Sequence, residues 1–191
     1  MRLRRKDHRE SGASLVEVAI ILPMLVLLAI GLSEVGFLVV DYLTVTNAAR
    51  EGARTGASAA DYDAGSTDAD DLILNAVEEA VCNLNFGTLE TVTIYRADAN
   101  GDIPVPPAGG VNQYVNNGSL MCNSSSHGLS DGPGCCPWDP ADRDRVPPGL
   151  DVLGVEVTFN HSSVTGLFPF PTVVWTEKAV MQIEPDTKGQ Q

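Results

Sequence analysis

Positive charge is scarce in this chain outside its first few residues. Of the 12 lysine and arginine residues, five lie within the first nine positions: Arg2, Arg4, Arg5, Lys6 and Arg9. Removing residues 1–12 leaves seven basic residues against 23 acidic ones, a formal net charge of −16. A body this acidic repels the phosphates of nucleic acid, so the composition argues against a nucleic-acid partner.

The chain also lacks the short motifs that mark common catalytic sites. No GxSxG, HExxH, Walker A or GxGxxG pattern occurs in it. Its three histidines, His8, His127 and His161, are far apart in the sequence and form no recognisable set with a nucleophile. The sequence therefore predicts a protein that is not an enzyme and that needs no cofactor.

What the chain does have is one long apolar run. The 26 residues from Leu15 to Val40 contain only Glu17, Ser33 and Glu34 as polar residues. About 20 apolar residues are enough for a helix to span a bilayer, and this run shows no polar face. The basic residues precede it, so the positive-inside rule predicts residues 1–12 in the cytoplasm and the rest outside.

Two other interpretations of this run remain open. A cleaved signal peptide has a shorter apolar region, roughly 7–15 residues, and a small-residue cleavage site directly after it. A plain uncleaved anchor fits the length equally well. Neither interpretation explains why a carboxylate lies inside the run.

Glu17 is that carboxylate, and its position suggests a role. A charged side chain at the centre of a span costs on the order of 2.5–3.5 kcal/mol, so such residues usually have a function and a partner. A cut between Gly12 and Ala13 would create an α-amino cation four residues before Glu17. In a staggered stack of helices, that amine would neutralise the Glu17 of a neighbouring copy and fix the register of docking.

Two further residues of the run invite an interpretation. Pro23 lacks an N–H and clashes with the carbonyl of Ala19, so a kink or loosening of the helix is expected there. Glu34 follows Glu17 by 17 residues, roughly 25 Å along a helix. That distance puts Glu34 near the outer interface of the membrane, with no specific role assigned.

The segment from Gly12 to Ala57 combines several short features. They are a small-residue start, a Val-Glu pair, a Leu-Pro pair, a glycine near a second glutamate, and an Asn-Ala-Ala-Arg-Glu-Gly-Ala-Arg block, and they fall on Val16-Glu17, Leu22-Pro23, Gly31, Glu34, and Asn47 to Arg54. With this set of features the segment resembles the TadE-like domain of tight-adherence pilus assembly.

The resemblance implies a minor pilin or pseudopilin of a type IV-related adherence pilus. It implies cleavage by a prepilin peptidase after a glycine, here Gly12, to give a mature chain that begins at Ala13. The expected partners are other pilin subunits, the pilus assembly machinery, the prepilin peptidase and membrane lipid. An uncleaved, membrane-anchored adhesin or envelope-binding protein is the alternative.

The rest of the chain predicts an α+β architecture. The first helix is expected to span residues 13–60, with the membrane span at about 15–40. Its second half carries a stripe of small residues, Ala49, Ala53, Gly56 and Ala60, which allows another element to approach closely. Residues 61–191 are expected to form a small, pilin-like extracytoplasmic head with an antiparallel sheet.

Within the head, three strands and one helix have clear signals. A helix is predicted in residues 68–84, capped by Asp68 or Asp70. Strands are predicted near residues 91–96, 151–161 and 171–184. Residues 104–149 hold eight of the twelve prolines, which predicts an irregular segment that buries little apolar surface.

The four cysteines, Cys82, Cys122, Cys135 and Cys136, all follow the apolar run. In an exported domain this predicts disulfides that staple the 104–149 segment. A bond between the neighbours Cys135 and Cys136 is expected to strain the backbone. We therefore expect Cys82 and Cys122 each to pair with one of that doublet; a zinc site is the alternative.

A turn near residue 100 has a second interpretation as a calcium loop. Asp98, Asn100 and Asp102 occupy the first, third and fifth positions of such a loop. The pattern then departs, because Ile103 follows where a glycine is needed and no glutamate closes the loop. We therefore expect an ordinary turn at Asn100-Gly101.

Overall fold

The computed structural model describes residues 9–60, 62, 67–82, 84, 86–104, 110–118, 120–122, 124–133, 135–166 and 172–185. It contains two α-helices, α1 (Arg9–Ser58) and α2 (Ala69–Val81). Five strands follow: β1 (Gly87–Arg96), β2 (Val111–Asn116), β3 (Leu129–Asp131), β4 (Val152–His161) and β5 (Val173–Gln182). The predicted α+β class, with a long N-terminal helix and a small antiparallel head, is confirmed.

The five strands form one antiparallel sheet in the order β3-β2-β1-β4-β5. The centre of the sheet is the pair of long strands β1 and β4, whose register sets Val92 opposite Val157 and Ile94 opposite Val155. A bulge between Leu89 and Thr91 shifts this register once. The predicted strands near 91–96, 151–161 and 171–184 thus correspond to β1, β4 and β5.

The second half of α1 packs closely against α2 and the sheet through small residues. The predicted stripe is buried in full, since Ala49, Ala53, Gly56 and Ala60 are all inaccessible to solvent or nearly so. A Cβ atom added to Gly52 would lie 2.6 Å from Val77 of α2. The missing side chains therefore set how near the other elements come to α1.

Helix α2 begins with a capping box. The side chain of Asp68 accepts a hydrogen bond from the Asp71 N–H at 3.0 Å, and the side chain of Asp71 accepts one from the Asp68 N–H at 3.0 Å. Each carboxylate satisfies an N–H that the first helical turn leaves without a partner. The predicted helix is confirmed, with Asp68 rather than Asp70 as its cap.

The segment 104–149 is more ordered than its composition predicts. It contains β2, β3 and a short 3-10 helix, Pro140–Asp142, and it contributes buried Tyr114, Leu129 and Trp138 to the core. The expectation that it buries little apolar surface is wrong. Widely spaced large side chains, rather than a periodic run, supply the burial, and a periodicity search does not detect them.

A buried carboxylate connects this segment to α2. Asp70 forms an ion pair with Arg143 and accepts hydrogen bonds from Asn112 Nδ2 at 2.7 Å and Tyr114 Oη at 2.8 Å. The Arg143 guanidinium also lies over the Trp138 ring, 4.6 Å from its centroid. Burial raises the pKa of Tyr114, and the negative charge of Asp70 raises it further, so the phenol remains a hydrogen-bond donor.

The close packing of α1 predicts the effect of a single methyl group. Gly52→Ala is expected to lower the free energy of unfolding by about 1–3 kcal/mol, because the new Cβ overlaps Val77. Gly36→Ala in the same helix is the matched control, since its Cβ meets nothing within 4 Å. Thermal unfolding of the detergent-purified full chain measures both, and equal effects would contradict the packing argument.

The Asp70 pair predicts a second stability effect. Asp70→Asn leaves Arg143 buried without its counter-charge, which is expected to cost about 3–5 kcal/mol. Asp142→Asn removes an equal charge from an exposed position and is expected to change little. Denaturant unfolding of the two variants compares them directly; a mild effect of Asp70→Asn would show that Arg143 finds another partner.

Candidate functional site: the uncovered half of α1 and its junction with the head

The first half of α1 extends away from the head and is not covered by it. We call Gly12–Ser33 the uncovered segment. Its exposed large apolar side chains are Leu15, Val16, Val18, Ile20, Ile21, Leu22, Met24, Leu25, Val26, Leu27, Leu28 and Leu32. Within the described part of the chain, α1 is the one helix long and apolar enough to cross a membrane, and none of its most apolar window is buried.

The predicted cleavage and docking residues lie at the start of this segment. Gly12, Ala13 and Glu17 are all helical and exposed. Ala13 and Glu17 are four residues apart, so they share one face of the helix, about 6 Å apart along its axis. Cleavage at Gly12 and pairing of Glu17 with a neighbouring amine stay predictions.

Pro23 lies inside the helix without ending it. Helix α1 is assigned as continuous over its 50 residues from Arg9 to Ser58, with Pro23 in its interior. The predicted span of about 15–40 and the kink at Pro23 both fall within this helix. Both stay predictions.

Glu34 is held by a loop of the head, a contact that the sequence did not indicate. Its Oε1 accepts hydrogen bonds from the Thr165 N–H at 2.7 Å, the Thr165 hydroxyl at 2.6 Å and the Ser163 hydroxyl at 3.1 Å. Its Oε2 accepts from the Val164 N–H at 3.1 Å. We call this set of four hydrogen bonds the Glu34 clasp; it joins α1 to the connection between β4 and β5.

One face of α1 continues the junction beyond the clasp. Seven residues after Glu34, the buried carboxylate of Asp41 lies 2.8 Å from Nδ1 of His161, the last residue of β4. Between them, the ring of Phe37 meets the ring of Phe86 edge-on, with centroids 4.8 Å apart. Positions 34, 37 and 41 share a helix face, so one stripe of α1 makes these three contacts.

The only sequence signal for the clasp is weak. Glu34 is a carboxylate in an apolar run, and Ser163 and Thr165 are hydroxyl donors after a predicted strand. They are 129 and 131 positions away from Glu34. Their meeting depends on the sheet topology, which brings the end of β4 back to the middle of α1.

The structure pairs the cysteines differently from the prediction. Cys82 is bonded to Cys122, and Cys135 to Cys136. Beside the first pair, Glu78, one turn before Cys82, accepts a hydrogen bond from the Met121 N–H at 3.0 Å, which holds the segment with Cys122 next to the end of α2. The expected pairing of Cys82 and Cys122 with the doublet is wrong.

The doublet lies elsewhere, next to β2 and β3. The Tyr114 hydroxyl is 3.5 Å from the Cys136 sulfur, and Cys136 has a positive φ of 84°. This left-handed conformation is uncommon for a residue with a side chain.

The metal interpretations are not favoured by these contacts. Asp131, Cys135 and Cys136 have donor atoms within 4.8 Å of one another, but the two sulfurs are bonded to each other and do not act as thiolate ligands. All four cysteines form disulfides, which leaves no thiolate for the zinc alternative.

The turn near residue 100 uses its carboxylates internally. Asp98 Oδ1 accepts hydrogen bonds from the N–H groups of Asn100 at 2.8 Å and Asp102 at 3.0 Å. The Asp102 N–H lowers the pKa of Asp98, and the Asn100 N–H lowers it further. Asp102 forms an ion pair with Lys178, and Gly101 has the positive φ, 83°, that the turn needs. These contacts favour the turn over the calcium loop.

Fold and site together define a class of protein: one apolar N-terminal helix, able to cross a membrane, joined to a small α+β head. Residues 12–54 match the family model of the TadE-like proteins, which confirms the resemblance over this segment and supports an association with a tight-adherence pilus. A search of the curated proteins found no match, and a search of the solved structures found none either.

The observed disulfides predict unequal effects on stability. The Cys82–Cys122 bond has a sequence separation of 40, so the Cys82→Ser/Cys122→Ser variant is expected to lose about 4 kcal/mol of unfolding free energy through chain entropy. The Cys135–Cys136 bond joins neighbours in the sequence and closes almost no loop. The Cys135→Ser/Cys136→Ser variant is therefore expected to lose much less unfolding free energy. Denaturant unfolding compares the pairs, and peptide mapping that links Cys82 to the doublet would contradict the assignment.

Proposed function

We propose that this protein is a minor pilin or pseudopilin of a tight-adherence, type IV-related pilus, acting as a structural subunit in initiating, assembling or decorating the fibre. The observation that carries the proposal is the uncovered segment of α1. It is apolar, it lies outside the head, and it falls within the part of the chain that matches the TadE-like proteins. A helix of this kind needs a lipid or protein environment to cover it.

Before assembly, lipid is the environment that this proposal requires. The basic residues at the N-terminus stay in the cytoplasm, in accordance with the positive-inside rule, and the head lies on the opposite side. After a prepilin peptidase removes residues 1–12, the helix leaves the bilayer and packs among the helices of neighbouring subunits. Apolar side chains that contacted lipid then contact other copies of the helix.

Glu17 supplies the register in this scheme. It lies on the same face of α1 as Ala13, whose amine becomes the new N-terminus after cleavage. In a fibre, a subunit shifted along the axis brings its Glu17 to the amine of its neighbour, and the pair neutralises both charges in an apolar core. Removing one partner of such a buried pair costs about 3–5 kcal/mol, which disfavours misaligned docking.

The head has a structural role in the proposal rather than a catalytic one. Its titratable groups that lie closest together are engaged in holding the fold, as in the ion pair of Asp70 with Arg143 and the contact of Asp41 with His161. The exposed acidic surface then faces outward from the membrane. In the alternative, an anchored adhesin, this surface binds a target directly and the protein does not enter a fibre.

The test combines cleavage with fibre assembly in cells that carry the pilus machinery. Intact mass of the purified protein is expected to show the loss of residues 1–12. Glu17→Gln is expected to abolish or strongly reduce surface fibres seen by electron microscopy while the protein still fractionates with the membrane, because its side chain no longer neutralises the amine.

Glu51→Gln is the matched control. Glu51 is an exposed acid on the same helix, paired 3.9 Å from Arg54 outside the apolar run, and its loss is expected to leave fibres unchanged. Normal fibres from the Glu17→Gln variant would reject the register mechanism. A full-length N-terminus, together with no effect of the chain on fibres, would instead support the anchored adhesin.

A further inference from the structure

The end of the head nearest the uncovered segment has no charged side chain among its described residues. We call this the proximal end; it consists of Phe86, Gly87, 162–166, Thr172 and Val173. The Ser162 N–H donates to the Phe86 carbonyl at 3.0 Å, and His161 pairs with both Gly87 and Val173 across the sheet. These contacts put the start of β1, the end of β4 and the start of β5 side by side at the proximal end.

The opposite end of the head is rich in carboxylates. It is identified by the Glu184 N–H, which donates to the Ala57 carbonyl at 2.9 Å near the end of α1. Asp98, Asp102 and Asp144 lie on the turns at this same end. Acidic residues of the head therefore lie at the end near Ala57, and the described residues of the proximal end include none.

The length of the uncovered segment fits a bilayer that ends at the Glu34 clasp. From Leu15 to Ser33 there are 19 residues, about 28 Å of helix at 1.5 Å per residue. The span of about 15–40 expected from the sequence is longer, and Val35, Val39 and Val40 beyond Glu34 are also exposed, so the clasp marks the near limit of the span. The hydrocarbon core of a bilayer is about 30 Å thick. If the helix spans, Glu34 and the proximal end thus reach the level where hydrocarbon gives way to headgroups.

The clasp lowers the free-energy cost of placing polar groups at that level of the membrane. A carboxylate at the edge of the hydrocarbon is unfavourable, and so are backbone N–H groups without a partner there. Glu34 accepts hydrogen bonds from the N–H groups of Val164 and Thr165, so the helix and the loop satisfy each other. Val164 itself remains 40% exposed and presents an apolar side chain at this level.

We propose that segment 162–166 lies in the headgroup layer on the outer face of the membrane, and that the Glu34 clasp sets its depth. This inference rests on the proposed membrane span of α1. The partner is the lipid surface: the uncharged proximal end enters the headgroup layer, while the acidic end of the head stays in water, away from anionic lipid.

Tryptophan quenching in liposomes tests this depth on the full-length protein. Lipids that carry a nitroxide either in the headgroup or deep in the acyl chain quench fluorescence at different depths. Val164→Trp is compared with Val146→Trp, a matched valine that is 68% exposed in the segment beside Asp144 at the acidic end. The parent protein gives the background from Trp138 and Trp175.

The headgroup nitroxide is expected to quench Val164→Trp and to leave Val146→Trp unquenched. Leu27→Trp, in the uncovered segment, reports the span itself and is expected to be quenched by the acyl-chain nitroxide. Quenching of Leu27→Trp without quenching of Val164→Trp overturns this inference and leaves the span intact. An unquenched Leu27→Trp overturns the span and this inference together.

A separate variant tests whether the clasp sets the depth of the loop. Glu34→Ala in the Val164→Trp protein is expected to remove the headgroup quenching, because the loop is no longer attached to α1. Ser33→Ala is the control, since the Ser33 hydroxyl donates within the helix to the Ala29 carbonyl at 2.9 Å. Leu27→Trp in the Glu34→Ala background verifies insertion, and headgroup quenching that survives Glu34→Ala would reject the clasp as the device that sets depth.

Discussion

The close contact between the small-residue face of α1 and the rest of the head is the constraint on which the structure depends. Gly52 and Gly56 have no side chain, so Val77 and Ile73 of α2, and Val155 and Leu153 of β4, reach the helix backbone. This contact fixes α2 on one side of α1 and the sheet on another. One half of α1 is thereby part of a compact core, and its other half remains free to contact lipid or further helices.

Polar contacts at the boundary between these two halves follow from the same arrangement. Because β4 runs antiparallel to the buried half of α1, its C-terminal end arrives where the uncovered segment begins. Carboxylates that face a protein or lipid interior are stable only with donors nearby, and the end of β4 supplies them. His161 forms a hydrogen bond with Asp41, and the loop that follows β4 donates hydrogen bonds to Glu34. The boundary is thus defined by hydrogen bonds rather than by apolar packing alone.

Local patterns in the sequence were sufficient for most of the elements, but not for β2 and β3 or for the contacts among the elements. The apolar run, the small-residue stripe, the Asp68 cap and the strands β1, β4 and β5 each have a signal within a few residues. By contrast, β2 and β3 are short and lie among prolines, and the Cys82–Cys122 bond lies beside Glu78, which accepts hydrogen bonds from residues 43 to 51 positions away. Such pairings follow from topology, which periodicity does not specify.

Some of the many acidic residues have a structural role that the net charge alone does not indicate. Asp41, Asp70, Glu78 and Asp151 are buried, and two of them, Glu78 and Asp151, accept hydrogen bonds from irregular backbone. Glu78 accepts from the N–H groups of Met121, Gly128 and Leu129, and Asp151 accepts from that of Asp144. A segment with few regular hydrogen bonds must satisfy its N–H groups in another way, and carboxylates are strong acceptors. Part of the acidity therefore holds the proline-rich segment in place, and exposed carboxylates such as Asp102 and Asp144 lie at the end of the head farthest from the uncovered segment.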